Sequence, residues 1–185
     1  MFSDGAKSLI VRKLLTVANG RLTLFQKINY TVYPARAMAK TLQMIGEKNG
    51  KEFLFQLGFD AGNDAADELI ENLKLDTKGG QKTYKLFQEL LEVIGFGKFR
   101  FIKYKPGSEK SILHVDNHPV LESAKEIYGT SSLVCNFYQG VYSAHAQKEF
   151  NIPNAHFEET QCICHGNQFC EWITGISKEE LLKKD

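Results

Sequence analysis

Two hydrophobic rhythms alternate along the chain, and the switches between them mark its elements. Residues 9–15 are apolar without a clear period, ambiguous between strand and helix. Asn19-Gly20 is a turn signal, and Arg21 to Phe25 alternates as a strand does. Ile28 to Tyr33, β-branched and aromatic, is a second strand stopped by Pro34. From Ala35 the period lengthens. Ala37, Ala39, Leu42 and Ile45 recur at helical spacing until Asn49-Gly50, and Phe53, Leu54, Leu57, Ala61, Ala65, Leu69 and Leu73 carry the same rhythm over 51–73. Inside this second helix Gly58 and Gly62 each cost about 1 kcal/mol relative to alanine. Four positions apart, they share a face that another helix can approach closely.

Thr77 to Gly80 is a loop, and 83–94 is a third amphipathic helix carrying Tyr84, Phe87, Leu90, Leu91 and Ile94. After Gly95-Phe96-Gly97, residues 98–105 set Phe99 and Phe101 against Arg100 and Lys103. This is a half-buried strand with a solvated basic face. Pro106-Gly107-Ser108 turns it into a partner at 111–115. Asp116-Asn117 is expected to cap a helix over 118–128, and Ser131-Ser132 the next, which carries Val134, Cys135, Tyr138, Val141, Tyr142 and Ala146. Gly140 and Ala144 repeat the spacing of Gly58 and Gly62. Strands at 155–163 and 169–174 flank a turn at His165-Gly166-Asn167, and Ser177 opens a last polar helix. About six strands paired in hairpins against five or six helices make an α+β fold, an antiparallel sheet packed against several helices. With no linker or low-complexity stretch, residues 1–185 form a single domain.

Composition narrows the function classes. A formal net charge of +1 gives no field for phosphate backbones, so nucleic acid is not expected as a direct partner. No cationic segment followed by a long apolar one opens the chain, and no run approaches 18 apolar residues. A cytoplasmic protein with no membrane span is the expectation. In a reducing compartment four cysteines point to metal binding or free thiols before disulfides.

Three of the four cysteines fall between Glu159 and Trp172. If the turn centres on Gly166 with three loop residues, Cys162 faces Cys170 and Cys164 faces Gln168. Opposed residues have Cβ atoms about 4.5–5.5 Å apart, close enough for two thiolates to share a tetrahedral ion. A two-residue loop would slip the register and send the two cysteines to opposite faces. Cys135, on the preceding helix, is the third candidate ligand. Glu159 precedes Cys162 by three and reaches the same side only across a bulge or strand end. Cys164 and His165 compete with it for the fourth position, and buried thiols without metal remain the rival reading. No Cys/His spacing specifies a nucleophile with its base. His118 and His156 read as surface residues.

The pattern Glu159-x2-Cys162-x3-Gly166-x3-Cys170-x-Trp172, preceded by Cys135 and Gly140 on a helix, resembles the 4-vinyl reductase domain. Gly20-Arg21-Leu22, Pro34 before a helix and Gly58-x3-Gly62 are similar to its stand-alone archaeal members. The likeness runs over a core of residues 20–175, with 131–175 its most specific part. It implies the fold shared by trafficking-complex subunits and nitric-oxide-type sensor domains, and a domain that binds apolar or hydrocarbon-like small molecules. In related aromatic-sensing activators this pattern holds zinc, which here implies Cys135, Glu159, Cys162 and Cys170 as a closed, structural site. Those sensors anchor a phenolic hydroxyl with an upstream tryptophan and histidine. The one tryptophan here is Trp172, so phenol recognition is not implied.

The expectation is therefore a non-enzymatic sensor or carrier, its apolar ligand held among Phe87, Phe99, Phe101, Tyr138 and Tyr142. Two alternatives stand beside it: an accessory subunit of a tetrapyrrole vinyl reductase, and a structural module with a protein partner. The chain carries no Gly-x-Gly-x-x-Gly fingerprint or phosphate loop for a redox cofactor. The paired small residues also suit close helix contacts within the chain or across a homodimer.

Overall fold

The structure, a computed structural model, describes residues 15–19, 21–75 and 81–176. Strands β1 (Leu15–Ala18), β2 (Arg21–Leu24) and β3 (Ile28–Tyr30) form an antiparallel sheet in sequence order. Leu24 and Ile28 pair across its second turn and are buried. Helices α1 (Ala35–Asn49) and α2 (Lys51–Leu73) follow, then α3 (Gln81–Val93), β4 (Lys98–Lys103), β5 (Ser111–Asp116), α4 (Pro119–Tyr128), α5 (Val134–Lys148), β6 (Glu158–Gln161) and β7 (Cys170–Thr174). The last four strands make a second antiparallel sheet in the order β4-β5-β7-β6. The fold is α+β as expected, but with two sheets instead of one. Pro34 and the long α1–α2 pair separate the first hairpins from the later ones.

The first two helices keep the bounds their periodicity gave, because Pro34 and Gly50 punctuate them; Gly50 has φ +92° and joins one helix to the next. Other edges moved. Asp116-Asn117 does not cap α4. The cap is His118, whose ring Nδ1 accepts the Leu121 N–H at 3.5 Å. At α5 the Ser132 hydroxyl accepts the Val134 N–H, while the Leu133 N–H, which Ser131-Ser132 leaves unserved, goes to the buried Gln43 carbonyl oxygen at 2.9 Å. The strand expected over 155–163 shrinks to 158–161. Upstream, the His156 and Phe157 N–H groups are taken by the hydroxyls of Thr174 and Ser143 and not by a ladder. The expected loop at 77–80 and the helix opened by Ser177 lie outside the described residues.

The small residues predicted to admit a helix do so inside the chain. A Cβ on Gly58 would strike the Phe137 carbonyl, one on Gly62 would lie 2.7 Å from the Val141 carbonyl oxygen, and one on Gly140 would strike the Phe55 carbonyl. The contacts advance together along both chains, so α2 and α5 run parallel with their backbones touching. What the sequence left open between a homodimer and an internal contact is spent internally. Over this pair lies the core: Trp172, Phe87, Phe99 and Phe157 are its largest enclosed side chains.

His118, expected at the surface, is 1 % exposed and packs edge-on against Tyr138, ring centroids 4.1 Å apart. Its capping role draws it inward, because the N-cap position sits where α4 enters the core. Burial pushes its pKa down to about 3. The unfolded chain therefore takes up a proton near pH 6.5 that the folded chain refuses until about pH 3. Stability is full above the unfolded value and drains as pH falls, by up to about 1.4 kcal/mol per pH unit from this residue. Denaturant unfolding between pH 7 and pH 4 should show that slope. A His118→Asn variant, which can cap without titrating, should flatten it.

Candidate metal centre

The closing hairpin is built differently from a tight two-strand turn. After Gln161 the chain leaves β6, makes a 3-10 turn at Ile163–His165, passes Gly166 at φ +91° and returns as β7 from Cys170. The left-handed conformation predicted for Gly166 is there, but the connection is longer than three residues. Registry shifts between Glu159 and Gln161: Glu159 opposes Trp172, whereas Gln161 opposes Glu171. This is the bulge the metal reading required. It turns Glu159 to the same side as the cysteines.

As a result the Sγ atoms of Cys135, Cys162 and Cys170 and a carboxylate oxygen of Glu159 all lie within 4.8 Å of one another. Cys135 and Cys162 are 3.4 Å apart, sulfur to sulfur. With Zn–S bonds near 2.3 Å, tetrahedral sulfurs sit about 3.8 Å apart, so the cluster fits a four-coordinate ion with little adjustment. Three of the residues are buried and Glu159 is half-buried. The Trp172 indole N–H donates to Glu159 Oε1 at 3.2 Å, holding the carboxylate from behind. Of the two competitors, Cys164 is buried in the 3-10 turn beside Cys135 and Cys162 but outside the converging four, and His165 is exposed.

The electrostatics of the group fit a cation. Its hydrogen bond to Cys162 raises the Cys135 thiol well above the usual range, and those to Cys164 and Cys170 add to it. Cys162, bonded to Cys135 and then to Cys164 and Cys170, is driven far below that range. Burial and then the neighbouring Cys162 push Glu159 up to about 8, against the opposing Trp172 bond. Four groups that form anions are thus crowded into one apolar spot. That arrangement is costly alone and favourable around a divalent ion, which deprotonates thiols outright.

Of the five aromatic candidates, Phe99 packs against Phe101 and Tyr142, Phe87 joins them through Phe150, and Tyr138 packs instead on Phe96, His118 and Phe137. Phe87, Phe99, Tyr138 and Tyr142 are buried and Phe101 is half-buried. Phe99 stands 6.0 Å from Tyr142, and Tyr142 stands 5.5 Å from Trp172, which links this aromatic core to the hairpin. The Tyr142 hydroxyl donates to the Phe96 carbonyl at 3.1 Å. None of the five borders a groove of about 920 Å³ that runs between α2, α5 and residues 154–159. Phe55, Phe59, Gln139 and His156 line it, with Glu159 at one end. Sequence periodicity had no means of finding it, because its walls come from three separate stretches.

No protein-family model matches the chain, and no curated protein matches it in sequence. Solved structures do. The fold is that of the phenol-responsive sensory domain of the transcription activator PoxR, solved with phenol, at 14% identity and a TM-score of 0.63 over 93% of this chain and 90% of that one. A vinyl-4-reductase family protein from Methanocaldococcus jannaschii is also similar, at 13% identity and a TM-score of 0.48 over 80% and 85%. So is a trafficking protein particle complex subunit 3 from Naegleria fowleri covalently bound to palmitic acid, at 15% identity and a TM-score of 0.44 over 76% and 93%. The likeness to the PoxR sensory domain agrees with the fold that the hairpin pattern implies. Among the described residues no helix is long and apolar enough to cross a membrane.

Proposed function

We propose that this chain is a zinc-stabilised small-molecule-binding domain that senses or carries an apolar ligand without catalysing a reaction. The observation that carries the reading is the convergence of Cys135, Glu159, Cys162 and Cys170 on one point. Three thiolates and a carboxylate in tetrahedral reach favour zinc over the harder divalent ions. With four protein ligands the ion ties α5 to the last hairpin and adds to folding free energy.

The apolar ligand is received in the aromatic core of Phe87, Phe99, Phe101, Tyr138 and Tyr142, between the second sheet and the helices. The PoxR domain of the same fold, solved with phenol, supports the binding of a small molecule. Binding draws on apolar burial, about 25 cal/mol per Å² before ordering costs. Native mass spectrometry after incubation with a panel of alkylbenzenes and medium-chain fatty acids tests this. A retained adduct that also raises the melting temperature is the expected result; a chain that keeps nothing and melts unchanged across the panel refutes the ligand class.

Trp172→Phe keeps the ring in the core and deletes the N–H that holds Glu159. Loss of a partner one bond removed from the metal typically weakens metal affinity roughly 10–100-fold. Chelator competition on the purified variant should show that drop while the fold persists.

A further inference from the structure

We propose that the groove between α2, α5 and residues 154–159 is a binding site for an extended peptide, with Gln139 as its anchor. Gln139 is only 7 % exposed, lines the groove floor, and its side-chain amide has no partner among the described residues. An occupant that covered this amide without pairing it would incur a cost of about 1–3 kcal/mol. The amide's donor and acceptor together match one peptide unit.

The rim carries side-chain amides that can pair with both the N–H and the C=O of peptide units. Gln56 donates its side-chain amide to Asp60, Asn136 to the Leu133 carbonyl, Gln147 to the Ala155 carbonyl and Asn154 to Glu109. Each uses one N–H on its own chain and keeps a second N–H and its amide oxygen beside the groove. Between these acceptors lies an aromatic wall, in which the His156 ring packs on Phe55 with centroids 4.3 Å apart and Phe59 continues the row. Asn136 and Gln147 stand eleven positions apart on and along α5, about 16 Å of helix axis. That length takes about five residues of extended chain at roughly 3.3 Å each. A purely apolar occupant would strip water from these amides and from Lys51, Glu52 and Glu158 without replacing it. An extended chain, with alternating N–H groups, carbonyls and side chains, serves both the amides and the rings. The groove is separate from the aromatic core and meets the proposed metal centre only at Glu159, so it adds an output surface to the proposed sensor.

The test uses the whole chain, labelled with 15N, and pools of end-capped pentapeptides that differ in the central residue. Binding that shifts the amides of Phe55, Phe59, Gln139 and His156, weakens at least tenfold in Gln139→Leu, and is lost when the best peptide is N-methylated along its backbone supports the proposal. No shift from any pool at millimolar concentration overturns it. So does an N-methylated peptide that binds as well as its parent, a result that holds even if Gln139→Leu fails to fold. Shifts produced by acetamide or uracil but by no peptide overturn it too, in favour of a small amide ligand.

Discussion

Gly140→Ala is expected to lower the unfolding free energy by about 3 kcal/mol or more, read from denaturant titration. The added methyl would meet backbone on the facing helix, the Phe55 carbonyl and, at 2.6 Å, the Phe59 amide nitrogen. Neither can rotate aside, so α2 and α5 must separate, and the core above them must move with them. Gly46→Ala is the informative contrast. Its methyl would meet the side chains of Leu54 and Leu133, which can shift, and alanine regains about 1 kcal/mol of helix propensity. It should cost much less than Gly140→Ala. Equal losses would mean that helix packing is not what these glycines serve.

Cys162→Ser is expected to empty the metal centre and to destabilise the domain by about 4 kcal/mol or more, since a structural ion's binding energy is folding energy. Cys162 leads into the 3-10 turn, and the Cys162 carbonyl accepts the N–H groups of both His165 and Asn167. Loss of the ion therefore also loosens the turn that sets the position of Cys170. Cys164→Ser, two positions beyond Cys162 and outside the converging set, should keep its metal. A Cys164→Ser variant that loses the ion as completely as Cys162→Ser would contradict the assignment of Glu159 as the fourth ligand. With structure intact and metal bound in both, the centre would have to be held by other residues.

The sequence made the helices legible where punctuation was strong. Pro34 and the Asn49-Gly50 pair framed α1 and α2 to the residue, and the glycines at 58, 62 and 140 announced the helix contact that the fold contains. It made the metal site legible in part. The cysteines declared themselves by spacing, but Glu159 joins them through a registry shift that no local pattern encodes. Where tertiary contacts outweigh local signals, sequence reading went astray. His118 before Pro119 looks like solvent-facing turn chemistry, yet its ring becomes the cap of a buried helix end. Strand 155–163 loses its first residues because hydroxyls on α5 and β7 capture their N–H groups. Gln139 is one of several polar residues on α5, with Asn136, Ser143, His145 and Gln147, so nothing in the sequence marked it or the groove. Its meaning depended on α2 and residues 154–159 lying against it.

The most direct measurement is elemental analysis of the purified chain beside Cys135→Ser, Cys162→Ser and Cys170→Ser. The account predicts one zinc per wild-type chain and a near-complete loss in each variant. Wild-type protein that carries no zinc after purification in its presence, or a zinc content that all three substitutions leave unchanged, would contradict it.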